Sequence, residues 1–485
     1  MRENVRIGLR RGAELSDDEV EQIKLGSWRL DCPRMLLRSR GNSPKRTYSG
    51  PGYVFQPAPG VLSFHLYAYR GQSALRSGWL DLARTGETLP EEAYFDLEVT
   101  DVTGRRWASK RLIPASIDRT AMGKVIVDGQ LTTLSTKAVL SRTLKVKGHS
   151  VDIRAFQHLE LPWNAGTVRR SSTARGRRRS KAFSRDAWAF RCQGLDVLIV
   201  QGADRMSMEV YSERNRLPPR IERHLLEALE FIVGHAVHCQ AVRIRRSHTV
   251  ETTVFAMRGD LRTARWQPPL VQQWVSVPGT NRITSRHHRR LFERFLVHAI
   301  SCGGRVHSVS GQLAAIREAS TARYIDAYAL TMTVAVESLA FSDVPVRVRR
   351  PPVRQIESLL SWIRDWGGSE ELKVRALGAV ANLGQTRAGD ILRNLVRNAV
   401  ITKQQYEAWQ KLRNRSTHGY QLLRGNPNQL RELLPIVQVM FYRMVFHAIG
   451  YRGPYTDYSS PDWPIRQYPG TLEVPPNNRQ NPSVT

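Results

Sequence analysis

Alternating hydrophobic and polar positions mark the first half of the chain. Short runs rich in Val, Ile, Phe, Tyr and Thr, several of them bounded by Gly, Asp or Pro, predict β-strands. The clearest runs are residues 60–69, 93–104, 123–129, 195–202 and 249–258. One stretch, 220–237, has apolar residues at helical spacing instead. The pattern predicts a β-rich domain over 51–265 with one or two helices, preceded by an N-terminal segment, 1–50.

A helical period replaces this pattern after residue 284. Residues 266–284 are rich in Pro and polar side chains and predict a linker, whereas 285–450 predict a helical domain. The predicted helices are 285–302, 324–341, 354–366, 370–382, 387–398, 402–417 and 427–449. Residues 451–485 contain seven prolines and predict an extended tail. The expected fold class is α+β multidomain, with an N-terminal β-rich domain followed by a C-terminal all-α bundle.

The charge of the chain indicates what kind of partner it binds. Its 485 residues include 73 Lys and Arg against 43 Asp and Glu, which gives a formal net charge of +30. A surface of this sign attracts polyanions, of which nucleic acid is the expected one and an anionic membrane the alternative. Charge alone does not distinguish RNA from DNA.

One basic run, 168–185, is nearly free of apolar residues and predicts a surface loop. Its functional interpretation is a clamp on nucleic-acid phosphates, and its alternative is a solvated insertion in the β-domain. The candidate RNA-binding residues here are Arg169, Arg170, Arg175, Arg177, Arg178, Arg179 and Lys181.

Other classes of protein lack support. The four cysteines (Cys32, Cys192, Cys239 and Cys302) form no C-x-x-C pair, which disfavours a zinc ribbon or a disulfide framework. The first twenty residues lack the apolar core of a signal peptide, and no apolar run is long enough to span a membrane. These features favour a soluble, cytoplasmic protein without a membrane partner.

Metal and cofactor chemistry is also not expected. His235, His238 and Cys239 lie close together in sequence, but no acidic ligand is near them. His287 and His288 are surrounded by arginines, which repel cations. Zincin, P-loop and nucleophile-elbow motifs do not occur. We therefore expect no metal and no cofactor.

An arginine followed five residues later by a histidine occurs three times, so this spacing alone decides nothing. The third pair, Arg413 and His418 in "LRNRSTHG", lies at the predicted end of an amphipathic helix. On an unbroken helix the two would be about 140° apart, but Gly419 is a natural terminator that frees His418 to approach Arg413. A cluster at a helix end could then bind a phosphate. The alternative is that His418 and Arg415 only interact with the negative end of the helix.

This stretch resembles the R-x4-6-H signature of HEPN domains, in the form with Asn after the Arg and Gly after the His. Residues 383–420 are similar in layout to the HEPN domains of ApeA-like anti-phage (abortive infection) proteins, and 327–341 resembles their first core helix, with an acid at Glu337. The resemblance covers about 285–450. The β-rich region is laid out like the front half of those proteins but matches no specific motif.

The resemblance implies a metal-independent endoribonuclease that acts as a homodimer or higher homo-oligomer on RNA, with tRNA and mRNA as candidate targets. His418 would be general base or acid for attack of the ribose 2′-OH on the adjacent phosphate, because an imidazole titrates near neutral pH. Arg413 would neutralise the charge on the phosphoryl oxygens, and Asn414 would orient the histidine or the substrate.

Several assignments stay open at this point. Arg415 is either a second phosphate contact or a surface residue, and Glu337 is either an active-site acid or the partner of an arginine. Trp409 is expected in the core. Two other hypotheses compete with the nuclease: a non-catalytic nucleic-acid-binding protein that dimerises through a HEPN-like module, and a nucleotide sensor or toxin–antitoxin partner.

Overall fold

The computed structural model of the protein describes residues 15–41, 46–69, 89–119, 124–139, 148–155, 161, 164–167, 181–184, 187–202, 206–212, 216–246, 248–256, 266–270, 280–303, 308–321, 325–342, 353–384, 386–417 and 427–469. The chain divides into two compact units. The β-unit contains Met1–Leu229, Ala236–Arg262 and Val275–Ser285. The helical unit contains Glu230–His235, Thr263–Trp274 and Arg286–Thr485.

Strands dominate the β-unit, as its sequence predicts. Its helices are α1 (Asp17–Leu25) and most of α2 (Ile221–Val233). Its strands are β1 (Arg29–Ser39), β2 (Thr47–Ala58), β3 (Val61–Ala68), β4 (Phe95–Thr100), β5 (Arg106–Leu112), β6 (Pro114–Arg119), β7 (Val125–Leu131), β8 (Thr133–Val139), β9 (His149–Ala155), β10 (Asn164–Thr167), β11 (Lys181–Ser184), β12 (Ala187–Cys192), β13 (Leu195–Gln201), β14 (Met206–Ser212), β15 (Cys239–Arg246) and β16 (Thr249–Phe255).

Fourteen of these strands form one antiparallel sheet, in the order β12-β13-β14-β9-β15-β16-β8-β5-β4-β1-β2-β3-β7-β6, and β10 pairs with β11 separately. Side chains alternate across each strand. In β3, for example, Leu62, Phe64 and Leu66 are buried, whereas the residues between them are partly exposed. The buried hydrophobic residues of β1 to β5, β7 and β8 belong to one core that also includes Ile23 of α1.

The N-terminal segment does not end at residue 50 as the sequence predicts. Strand β1 lies inside the sheet, where it pairs with β2 on one side and β4 on the other. Its pattern is hard to recognise because the register shifts between Cys32 and Met35, so the buried positions change phase across Pro33 and Arg34. The β-unit therefore begins before residue 51.

A buried carboxylate organises the turn after β4. Asp101 accepts hydrogen bonds from the backbone N–H and hydroxyl of Thr103, from the Arg105 guanidinium at 2.7 Å and from the Trp107 indole at 3.1 Å. Arg105 in turn pairs with Glu19 of α1. Burial opposes ionisation of Asp101, but these donors outweigh it and hold its pKa below the usual value.

We expect Asp101→Asn to destabilise the protein by about 2 kcal/mol at pH 7, because its amide group turns a donor toward other donors. A lowered folded-state pKa contributes stability above about pH 3.9, which is lost as the pH falls through the folded value. The difference between variant and wild type should therefore shrink below about pH 4. Urea midpoints measured from pH 7 to pH 3 check this. The control is Asp196→Asn, which changes an exposed carboxylate on β13 and should match wild type. A stability difference between Asp101→Asn and wild type that stays constant from pH 7 to pH 3 would contradict the prediction.

The described part of the helical unit follows the predicted helices closely. Its helices are α3 (Thr280–Ser301), which begins in the β-unit, α4 (Ser308–Ser320), α5 (Ile325–Ser342), α6 (Val353–Asp365), α7 (Glu370–Ala381), α8 (Ala388–Arg397), α9 (Lys403–Thr417) and α10 (Pro427–Ala448). Helix α4 was not predicted, because Gly311 and its serines weaken the apolar period. The predicted linker is also wrong in part: 280–284 are helical, and the carbonyl of Leu270 lies 2.9 Å from Nε2 of His288.

The predicted extended tail is wrong for residues 451–469. Strands β17 (Gly453–Thr456) and β18 (Ile465–Tyr468) pair as a hairpin. Four tyrosines of this segment are buried: Tyr451, Tyr455, Tyr458 and Tyr468. Tyr458 donates to the Pro268 carbonyl at 2.5 Å. The prolines indicated an extended chain, but the aromatic residues between them supply enough apolar surface to fold it.

None of the helices in the described ranges is both long and apolar enough to span a membrane.

Candidate active site

Helix α9 positions the first of the proposed catalytic residues. It begins with a capping box, in which Thr402 and Gln405 exchange side-chain-to-backbone hydrogen bonds of 3.2 and 3.0 Å. Ala408, Trp409 and Leu412 form its buried side, and the Trp409 indole donates to the Thr333 carbonyl of α5 at 3.5 Å. Trp409 thus belongs to the core, as expected. Arg413, one turn later, is exposed.

Arg413 and Glu337 form an ion pair between α9 and α5, although 76 residues separate them in sequence. The side chain of Glu337 is 26% exposed and that of Arg413 is 44% exposed. The arginine also lies 5.8 Å from the Trp409 ring centroid. Of the two roles left open for Glu337, partner of an arginine is the one seen in the structure. The pair places a carboxylate and a guanidinium together where solvent reaches both.

Exposed apolar side chains flank this pair on α5. Leu330, Val334 and Phe341 are exposed, and with Glu337 they follow the spacing of one helix face. The opposite side of α5, which includes Met332 and Val336, is buried. Helix α5 is therefore apolar on two sides, and the outer one borders the ion pair.

The other predicted site residues fall into two groups. Asn414 is exposed beside Arg413 at the end of α9. The side chain of Arg415, and the whole of His418, Gly419 and Tyr420, lie outside the described residues. Whether His418 approaches Arg413 stays a prediction.

The basic run lies mostly outside the described residues as well. Arg169, Arg170, Arg175, Arg177, Arg178 and Arg179 are among the residues not described. Its flanks are described: Lys181 begins β11 and pairs with Thr167, the last residue of β10. The prediction of a loop is therefore wrong for Lys181–Ser184, which form β11, and residues 168–180 connect the two strands of this antiparallel hairpin.

The other two Arg–His pairs differ from the one at α9. Arg243 lies on β15 and pairs with Asp152 at 2.8 Å, so its guanidinium links β15 to the neighbouring strand β9. The second pair, Arg282 and His287, lies on α3, not in a linker. Burial, followed by the charges of Arg286 and Arg290, lowers the pKa of His287.

A row of arginines on α3 was missed by the sequence analysis. Arg286, Arg290 and Arg294 are exposed at intervals of four residues, about 6 Å apart along the helix. Arg289 lies beside them and pairs with Glu293 at 3.4 Å. All three arginines lie inside the predicted helix 285–302, but the sequence pattern was interpreted there only as basic surroundings of His287 and His288. This row offers positive charge at a spacing suited to a polyanion backbone.

Among the residues that the structure describes, no three His, Cys, Asp or Glu side chains are grouped so that they could hold a metal ion. Burial raises the pKa of the Cys239 thiol, which disfavours the thiolate that binds metals.

Comparison with known proteins adds no family assignment. No protein-family model matches the chain, and searches of curated proteins and of solved structures found no match.

Proposed function

We propose that this protein is a metal-independent endoribonuclease of HEPN type, acting as a homodimer in anti-phage defence. The observation that carries the proposal is the solvent-accessible Arg413–Glu337 pair near the end of α9, one residue before Asn414 and five residues before His418. The proposal rests further on the resemblance of the helical sequence to HEPN domains. The exposed apolar side of α5 supports the dimer, because it borders the pair and suits a second copy.

In the proposed reaction His418 removes the proton from the ribose 2′-OH, whose oxygen attacks the adjacent phosphorus. The bond to the 5′-oxygen of the next nucleotide breaks, and that oxygen leaves after protonation, by His418 or its copy. The products are a 2′,3′-cyclic phosphate and a 5′-hydroxyl. Arg413 stabilises the charge on the phosphoryl oxygens, while Asn414 orients the histidine or the substrate. Glu337 holds the guanidinium in place. DNA is not a substrate because it lacks the 2′-OH.

Purified protein should cleave total tRNA or mRNA in EDTA, and His418→Ala should reduce the rate by at least about 100-fold, the usual contribution of a general acid or base. Circular dichroism should show an unchanged fold. RNA carrying a single 2′-deoxy nucleotide at the cleavage position should resist. Activity that survives His418→Ala, or that EDTA abolishes, would reject the proposal.

The alternative is a non-catalytic RNA-binding protein, and the arginine row on α3 favours it. It predicts salt-sensitive RNA binding without cleavage, unchanged in His418→Ala. A plot of the logarithm of the RNA-binding constant against the logarithm of salt concentration has a negative slope. Neutralising three phosphate contacts should reduce the size of this slope by about 2 for single-stranded RNA. Fluorescence anisotropy with Arg286, Arg290 and Arg294 changed to Gln, and separately with the arginines of 169–179 changed, identifies which surface carries the binding.

A further inference from the structure

Helices α6 and α7 form a hairpin that leaves most of its apolar side chains uncovered. Within 353–384, all of which the structure describes, Ile363 is the only buried residue of α6 and α7. Eighteen large hydrophobic residues are exposed in the described chain, and seven of them belong to this short segment. The seven are Val353, Leu359, Trp362, Trp366, Leu372, Val374 and Leu383. A solitary exposed leucine is ordinary, but a group of this density marks an interaction surface.

The exposed residues of α6 lie on one side. Leu359, Trp362 and Trp366 are spaced i, i+3 and i+7, so they form a stripe along the helix and its end. The less exposed Ile356, Leu360 and Ile363 form a second stripe, about 90° away, that corresponds to the side toward α7. The indole stripe is therefore separate from the internal contact of the hairpin.

Helix α7 continues the same surface. The four-residue connection 366–369 makes α7 antiparallel to α6. Around α7, Leu372 and Ala379 lie about 90° from the less exposed Ala376, Leu377 and Val380. The offset between the two stripes has the same sense in α7 as in α6. Because the two helices run in opposite directions, Leu372 and Ala379 therefore lie on the same side of the hairpin as Trp362. We call Leu359, Trp362, Trp366, Leu372 and Ala379 the hairpin face.

Charge argues against a polyanionic ligand for the hairpin face. Residues 353–384 contain four basic and four acidic residues, whereas the whole chain has a formal charge of +30. The acidic residues neutralise their neighbours: Arg375 pairs with Glu371 at 2.8 Å and Lys373 with Glu370 at 3.4 Å. Arg375 lies between Leu372 and Ala379 on this side of the hairpin, and its charge is neutralised by Glu371 one turn earlier. A second copy of this segment can approach it without the repulsion that the rest of the chain would generate.

We propose that the hairpin face binds the hairpin face of a second copy of this chain, related by a two-fold axis, to form a four-helix arrangement. Trp362 and Trp366 are 66% and 39% exposed, and Leu372 is 54% exposed. Covering the face removes on the order of 500 Å² per copy, so about 1,000 Å² in total, which reaches the lower bound for a specific interface. Tryptophan is also the residue type most enriched at the energetic centre of interfaces.

This interface is distinct from the outer side of α5 that borders Arg413. It goes beyond the proposed ribonuclease function, because it neither requires cleavage nor includes a proposed catalytic residue. Two different two-fold surfaces on one chain would allow assembly beyond a dimer.

Sedimentation of the full chain over a range of concentrations tests the interface. Trp362→Lys places like charges face to face and should halve the mass of the assembly, with the association weakened by about tenfold or more. The matched control is Val374→Lys: it adds the same charge at an equally exposed residue on the opposite side of the hairpin and should leave the mass unchanged. Equal masses for wild type and Trp362→Lys would overturn the proposal.

Cross-linking gives a second measurement that does not depend on a weakened variant. Ala379→Cys should be joined to its copy by a short bis-maleimide, whereas Val374→Cys should not. Equal cross-linking of both would contradict a specific face. Neither measurement uses RNA cleavage, so failure of the nuclease proposal and failure of the hairpin interface would be told apart.

Discussion

Arg413→Ala should lower RNA cleavage by about 1,000-fold or more, because arginines that neutralise a transferring or cyclising phosphoryl group contribute on this scale. Arg413→Lys should recover part of the loss, since an ammonium keeps the charge but not the forked donors. The fold should be little affected. A partly exposed ion pair contributes at most about 1 kcal/mol to the free energy of unfolding. Lys411→Ala, an exposed residue of the same helix, is the control and should cleave like wild type.

Glu337 allows a sharper test of the same site. If the carboxylate only holds Arg413, Glu337→Gln should reduce cleavage less than Arg413→Ala, and the double variant should equal Arg413→Ala because the two residues act as one unit. A proton-transferring Glu337 would instead remove one limb of the pH–rate profile in Glu337→Gln. Single-turnover cleavage across pH separates these roles. Full activity of Arg413→Ala would rule out the proposed site altogether.

Arg443→Ala should destabilise the helical unit by about 3 kcal/mol, since it leaves buried carbonyls without their donor. Arg443, on α10, donates to the Val400 carbonyl at 2.8 Å and the Ala399 carbonyl at 3.1 Å, just beyond the end of α8. It also approaches the Tyr455 hydroxyl at 3.4 Å and lies 5.6 Å from the Tyr468 ring. One buried guanidinium therefore joins α8, α10 and the β17–β18 hairpin.

Hydrogen exchange measures this effect directly. The amides of β17 and β18 should exchange faster in Arg443→Ala, and Arg443→Lys should show a smaller loss of roughly 1–2 kcal/mol. Arg452→Ala, exposed nine residues later, should stay within about 0.5 kcal/mol of wild type. Unchanged exchange in Arg443→Ala would show that the hairpin is held by its tyrosines alone.

Periodicity predicted most of the helical unit and much less of the sheet. Helices such as α8 and α9 are amphipathic over several turns, so their period survives single interruptions. Strands are short, and one bulge reverses the phase, as between Cys32 and Met35 of β1. The residues 451–469 were misjudged from composition, because prolines are visible in sequence whereas the burial of Tyr451 and Tyr455 depends on packing.

The candidate site was predictable only as separate parts. Arg413 and Glu337 were named from their local motifs, but their pairing depends on how α5 and α9 pack, which no local pattern encodes. The arginine row on α3 lies within a predicted helix, but its arginines were considered only as neighbours of His287 and His288 and not as a row with the helical period. The exposed indoles of α6 look like core residues in the sequence, since amphipathicity shows that a face is apolar and not what covers it.

The strand order also has a consequence for synthesis of the chain. Strands β1 to β8 find their sheet neighbours among themselves, except that β8 pairs with β16 on its second side. The interval from Val139 to Thr249 takes the ribosome roughly 5 to 20 s to translate. During that time the far edge of β8 has no native partner, and an open strand edge invites pairing with other chains. One feature of β8 counters this hazard: Lys137, a charged residue, lies on the strand. We therefore expect Lys137 to limit the aggregation of nascent chains, although in the folded structure β8 is enclosed between β5 and β16.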